Sequence, residues 1–145
     1  MKRSSKKIVI NHKAKDLYSI VLDIEKYPDY IPWCTQIEIV KKNKNEILAN
    51  MIVNYKFFPK QKFTSKVTFD LKKLFIKTKY VEGPLKNLCT SWSFINIKND
   101  SCQVIFDIEF EFENFLHQQI AEIFFPLIEN KMMSSFIKRA DSILD

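Results

Sequence analysis

Residues 101–144 run SCQVIFDIEFEFENFLHQQIAEIFFPLIENKMMSSFIKRADSIL, and the apolar period changes once within them. Up to Phe112, the apolar positions Cys102, Val104, Phe106, Ile108, Phe110 and Phe112 alternate with Gln103, Asp107, Glu109 and Glu111. A period of two predicts a strand with one apolar face. From Asn114 onward Ile120, Phe124, Ile128, Met132, Phe136 and Ala140 recur every four residues, with Ile123, Leu127, Ile137 and Leu144 beside them. That spacing predicts a terminal helix with a wide apolar stripe. Pro126 falls inside it, either kinking the helix or opening its main part at the first turn. From Pro126 to Leu144 such a helix is ~28 Å long at 1.5 Å per residue.

Upstream of this segment the period of two persists. Strands are predicted over Ile37–Val40, Ile47–Tyr55, Phe63–Leu71, Leu74–Val81 and Cys89–Ile97, separated by charged or proline-containing turns. Near the N-terminus, Lys6 to Ile10 alternates weakly and predicts an edge strand. A helical period follows from Ala14, with Leu17, Ile20, Val21 and Ile24 on one face. Tyr27-Pro28 and Ile31-Pro32 end that helix, because the residue before a proline avoids the α region, and a turn or second short helix fits between them. The order is strand, helix, short helix, six antiparallel strands, long helix, which is an α+β domain over residues 1–145. A meander with one apolar face needs a cover. The terminal helix needs a surface to pack on, so a strongly curved sheet gripping that helix satisfies both.

The chain has 145 residues, 46% apolar and 28% charged, a soluble globular profile. The longest uncharged stretch, Asn87 to Ile97, is far short of the ~20 residues of a membrane span. One glycine, Gly83, excludes glycine-rich phosphate loops. The net charge is +6, and Lys2, Arg3, Lys6 and Lys7 supply four of those charges. The rest of the chain holds 19 basic against 17 acidic residues, so the excess sits in an N-terminal arm whose first five residues are expected to be flexible. Lysine outnumbers arginine 21 to 2, which does not fit a dedicated reader of DNA. Cys34, Cys89 and Cys102 are odd in number and widely spaced. They predict small buried side chains in a reducing compartment rather than a disulfide or zinc site. No signal peptide is expected.

His12 and His117 are the two histidines, far apart in the chain, and nothing marks a metal site or a nucleophile. Asp107, Glu109 and Glu111 share one strand face, which predicts a solvated outer surface. The aromatics carry more information: 13 Phe, 5 Tyr and 2 Trp. Tyr55, Phe57, Phe63, Phe69, Trp92, Phe94, Phe124 and Phe136 fall on strands or the last helix, with Ile128 and Met132 on that helix face. Either a filled core or an apolar cavity under the helix fits this pattern. Met132 and Met133 suit a cavity, because flexible thioethers adapt to a variable ligand.

Glu25-Lys26-Tyr27-Pro28-Asp29-Tyr30-Ile31-Pro32-Trp33-Cys34 resembles the EKYPxFxPWC signature of the coenzyme Q-binding START-domain family. This family lies within the polyketide cyclase/dehydrase superfamily. It takes in bacterial ribosome-association toxins and mitochondrial coenzyme Q accessory proteins. Val81-Glu82-Gly83-Pro84-Leu85 followed by Trp92 and Phe94 resembles its DGPF…W.F segment, and Phe136-Ile137-Lys138-Arg139-Ala140 its FVKRA ending. The chain departs from the pattern at Phe57-Phe58-Pro59, where members often carry a glycine.

The resemblance implies a helix-grip fold, START-like and Bet v 1-like. It also implies non-catalytic binding of ubiquinone or another polyisoprenoid lipid, supporting respiration or quinone biosynthesis, with no other cofactor. The motif match places Tyr27, Pro32 and Trp33 at the cavity entrance. The resemblance further implies, as alternatives, a factor that binds the large ribosomal subunit, or a cyclase needing acid–base groups inside the cavity. The expected location is the bacterial cytoplasm, with peripheral contact at the inner membrane in the lipid-binding case. Arg139 is expected to pair with an acidic residue on the sheet or to address a polar head group.

Overall fold

A computed structural model describes residues 1–55 and 58–144, without the side chains of residues 55, 58 and 59. Seven strands form one antiparallel sheet: β1 (Lys2–Ile10), β2 (Cys34–Lys42), β3 (Glu46–Tyr55), β4 (Phe58–Asp70), β5 (Phe75–Glu82), β6 (Leu85–Lys98) and β7 (Ser101–Phe112). Their order is β1-β7-β6-β5-β4-β3-β2, a meander to which the N-terminal strand is added beside the last one. Between β1 and β2 lie helix α1 (Ala14–Leu22) and a 3-10 helix (Ile24–Asp29). Helix α2 (Phe115–Leu144) ends the described chain. The sheet curves around α2, as the alternating and helical periods predict.

Part of the curvature is built by irregular pairing. The register shifts between Cys34 and Gln36 and between Ile39 and Lys41 on β2, between Val53 and Tyr55 on β3, and between Thr64 and Ser65 on β4. Two more shifts fall on β6, between Leu85 and Asn87 and between Asn96 and Lys98. Such bulges bend a strand and increase its twist. Gly83 turns β5 into β6 at φ +148°, a conformation that favours glycine.

Several element boundaries differ from those the sequence predicts. β1 starts at Lys2, not Lys6, so Lys2 and Arg3, expected in a flexible arm, are strand residues paired with β7 together with Lys6 and Lys7. Lys2, Ser4, Lys6 and Ile8 are partly buried, while Arg3, Ser5, Lys7 and Val9 are exposed. Ser4 Oγ donates to Glu129 at 3.1 Å and the Lys6 ammonium to Asn130, so α2 holds this strand in place. Charged side chains along an edge strand also discourage edge-to-edge association.

Helix α1 stops at Leu22, before Tyr27-Pro28. The Asp23 N–H still bonds the Ser19 carbonyl at 3.1 Å, and the Tyr27 hydroxyl donates to the Val21 carbonyl. Terminal carbonyls that lack helical partners are satisfied in this way. Ile24, expected on α1, begins the 3-10 helix.

Pro126 does not open α2, which starts at Phe115 and continues through it. Asn114 Oδ1 caps it by accepting the His117 N–H at 3.1 Å. Gln118, buried, accepts the Phe112 N–H at 2.7 Å and donates to Glu122 at 2.9 Å, locking β7 to the helix. At the other end His12 Nε2 lies 2.7 Å from Asp141 Oδ1.

Candidate ligand cavity

A cavity of about 220 Å³ lies between the inner face of the sheet and α2. Its wall draws on α1 and the 3-10 helix (Val21, Ile24, Tyr27), on the loop after them (Ile31, Trp33), on β2 to β7, and on Met132 and Phe136 of α2. Alternation places its strand residues. On β4, Phe63, Ser65 and Val67 face inward; on β6, Leu88, Thr90 and Trp92; on β7, Phe106 and Ile108.

Phe136 joins helix, loop and sheet. Its ring meets Tyr27 at 5.5 Å, Tyr30 at 5.6 Å and Trp92 at 5.2 Å, each edge to face. This is a favoured aromatic geometry. Tyr30 is covered by Arg139, whose guanidinium carbon stands 5.1 Å from the ring centroid. Arg139 therefore makes a cation–π contact within the closing cluster, and among the described residues it makes no ion pair with an acidic residue on the sheet.

Burial sets the chemistry of the wall. It holds the Tyr27 phenol well above its usual range, and it raises Tyr30 against the opposing pull of Arg139. The Cys34 thiol is pushed up to about 11 by desolvation, partly offset by the Gln36 backbone hydrogen bond. Tyr27 and Cys34 are thus protonated and uncharged at neutral pH, and the described wall contains no carboxylate, imidazole, ammonium or guanidinium group. Such a wall can exclude water and hold an apolar body, with hydroxyls as its polar points.

Six of the residues singled out in the sequence line this cavity: Tyr27, Trp33, Phe63, Trp92, Met132 and Phe136. The others lie elsewhere. Pro32 is exposed between Ile31 and Trp33, which do line the wall. Phe69 faces a separate hollow beside Ile39 and Ile47, nearer the start of β3. Phe94 is buried in the core behind the cavity, stacked on Trp92 at 6.2 Å and against Tyr18 at 6.1 Å. Phe124 and Ile128 are half-buried on α2 outside the wall, because the helix is rotated so that Ala121, Phe125 and Met133 point inward. Phe57 and the side chain of Tyr55 lie outside the described residues. Cys34, which ends the Glu25–Cys34 motif, also lines the cavity, as do Met51, Ser65, Thr78 and Thr90, which the sequence did not single out as site residues. Their signal was the period of two shared with Phe63, Val67 and Trp92.

A larger hollow of about 610 Å³ lies on the other side of the sheet, across β1, β7, β6 and β5. It is open and lined by Arg3, Lys77, Asp107 and Glu109 among others, with Arg3 paired to Glu109 at 3.1 Å. It encloses nothing, and its side chains are those of a solvated face.

A curved antiparallel sheet covered by a long terminal helix, with a hollow between them, defines a helix-grip, START-like protein. The chain belongs to the polyketide cyclase / dehydrase and lipid transport family, whose family model matches residues 10–137. It is 26% identical over 139 residues to the ribosome association toxin RatA of Rickettsia prowazekii, covering 94% of each chain. It is 32% identical over 140 residues to the mitochondrial coenzyme Q-binding protein COQ10 of Drosophila melanogaster, covering 92% of this chain but 56% of that one. The ZhuI aromatase/cyclase from Streptomyces sp. R1128 superposes with a TM-score of 0.90 over 99% of this chain and 96% of that one, at 12% identity. That last likeness establishes the fold alone.

Proposed function

We propose that the protein binds ubiquinone or another isoprenoid lipid non-catalytically in the cavity beneath α2. The observation that carries this reading is the cavity itself, an aromatic and thioether wall free of ionised groups among its described residues. The likeness to a coenzyme Q-binding protein supports it. At about 220 Å³ the cavity is smaller than the ~300 Å³ lower bound usual for small-molecule sites. It accommodates a ring and the first part of a tail, and a longer tail extends past the helix. An acid–base mechanism of the cyclase type has no support from this wall. The test is expression in a ubiquinone-producing host, followed by native mass spectrometry and organic extraction. A stoichiometric co-purifying isoprenoid is expected; its repeated absence from protein that stays folded would refute the reading.

A second reading, association with the large ribosomal subunit, draws on the likeness to RatA and on one feature of the sheet. Lys66 and Lys79 are opposite one another on β4 and β5, with Lys77 next along the same outer face. Like charges directly opposed across strands are unfavourable; Glu46, 3.9 Å from the Lys66 ammonium, offsets part of this charge, and an RNA backbone would relieve the rest. Co-sedimentation with large subunits that weakens steeply with salt is the expected result. Lys66→Glu with Lys79→Glu should abolish it.

A further inference from the structure

Ser65, Thr78 and Thr90 are neighbours on the inner face of the three central strands. Thr78 and Thr90 are paired directly across β5 and β6, and Ser65 lies one step along β4 from Val67, the partner of Thr78. All three line the cavity. Their hydroxyls make no hydrogen bond to any described residue, and no bond joins Thr78 to Thr90, although such a cross-strand pair is well placed for one. The flanking positions of the same sheet rows are apolar: Ile108 beside Thr90, Val67 beside Thr78, and Ala49 beside Ser65. Valine has the shape of threonine, so packing alone does not call for a hydroxyl at these positions. A polar group facing an apolar enclosure costs free energy unless it finds a partner.

We infer that Ser65, Thr78 and Thr90 form a polar floor that selects a ligand by a ring oxygen, a quinone or phenol head seated against the sheet with its apolar tail directed away from it. This rests on the lipid-binding reading above and names the head group that reading leaves open. A hydroxyl both donates and accepts. The floor can therefore donate to a quinone carbonyl or accept from the hydroxyl of the reduced ring, and it holds either redox form.

The test compares two probes by calorimetry: a ubiquinone with a single isoprenoid unit, and prenylbenzene, which keeps a ring and tail without ring oxygen. Wild-type protein should prefer the quinone. In Thr78→Val with Thr90→Val, affinity for the quinone should fall about tenfold, the scale of one or two neutral hydrogen bonds, while prenylbenzene binds as before or more tightly. Ser65→Ala provides an independent variant should the double substitution disturb folding, and it should show the same selective loss. Equal binding of both probes to wild type, or an equal change for both in the variants, overturns the polar floor while leaving lipid binding intact; the hydroxyls would then hold only water. If neither probe binds wild type and no lipid co-purifies, the lipid-binding reading itself fails and the floor with it.

Discussion

Trp92 on β6 and Phe136 on α2 meet edge to face at 5.2 Å, the point at which the helix closes on the sheet beside the cavity. Because Phe136 also contacts Tyr27 and Tyr30, its removal should open the closure from three sides. Phe136→Ala is expected to cost about 3–5 kcal/mol, the range for a buried phenylalanine that leaves a cavity. Phe136→Leu, which keeps most of the volume, should cost about 1.5 kcal/mol or less. Urea unfolding measures both. Equal, small losses would show that the helix is held elsewhere.

Met132 offers a way to fill the cavity without excavating the core. It is half-buried on α2 and lines the wall. Met132→Trp places a larger ring against a volume of about 220 Å³. The variant should fold, with stability within about 1–3 kcal/mol of wild type, yet lose co-purifying lipid. Retention of lipid at wild-type stoichiometry would place the ligand outside this cavity.

The strands were legible because their apolar period of two survives from Ile47 to Phe112, and each strand had one face to bury. The helix was legible as an element but not in its rotation. Phe124 stands next to Phe125 and Met132 next to Met133, so apolar residues occupy adjacent faces and the sequence does not say which one turns inward. Contact with the sheet decides it: Phe125 rather than Phe124 is buried, against Phe110, whereas Met133 is buried in the core and Met132 beside it lines the cavity. The cavity wall was half legible for a related reason. Trp92 and Phe63 announce themselves by size, whereas Thr78 and Thr90 look like ordinary strand formers until the empty space beside them is known. The start of β1 was obscured because Lys2 and Arg3 carry the charge of a frayed arm, whereas pairing with β7 and the contacts of Ser4 with Glu129 and Lys6 with Asn130 order them as strand.

Gly83 should resist substitution. A Cβ added there would lie 2.9 Å from the Lys62 carbonyl oxygen and 3.0 Å from the Tyr80 hydroxyl, at a φ of +148°. That hydroxyl accepts the Leu85 N–H at 2.9 Å, so a shift of Tyr80 would disturb the start of β6 as well. Gly83→Ala is expected to destabilise by about 1–3 kcal/mol through backbone strain and crowding. Thermal unfolding of the variant checks this, and an unchanged midpoint would mean the turn relaxes freely.

The buried thiols should make stability fall at high pH. Cys34 has its pKa raised to about 11 in the folded protein, against 9.0 as its ordinary value. A thiol whose folded pKa lies above its unfolded one contributes stability that is fully present below pH 9.0 and is lost as the pH rises toward 11, because the unfolded chain releases its proton first. Cys102 is raised in the same direction by burial, and Tyr27 and Tyr30 add to the loss at still higher pH. Cys34→Ala should therefore begin less stable than wild type at neutral pH but lose less between pH 9 and 11. Thermal midpoints taken across that interval test the slope. At pH 8 a thiol reagent should modify the half-buried Cys89 first and leave Cys34 and Cys102 protected, since the thiolate is the reactive form and both are buried. Rapid modification of Cys34 at pH 8, or parallel pH profiles for the two proteins, would show that the wall around Cys34 admits water.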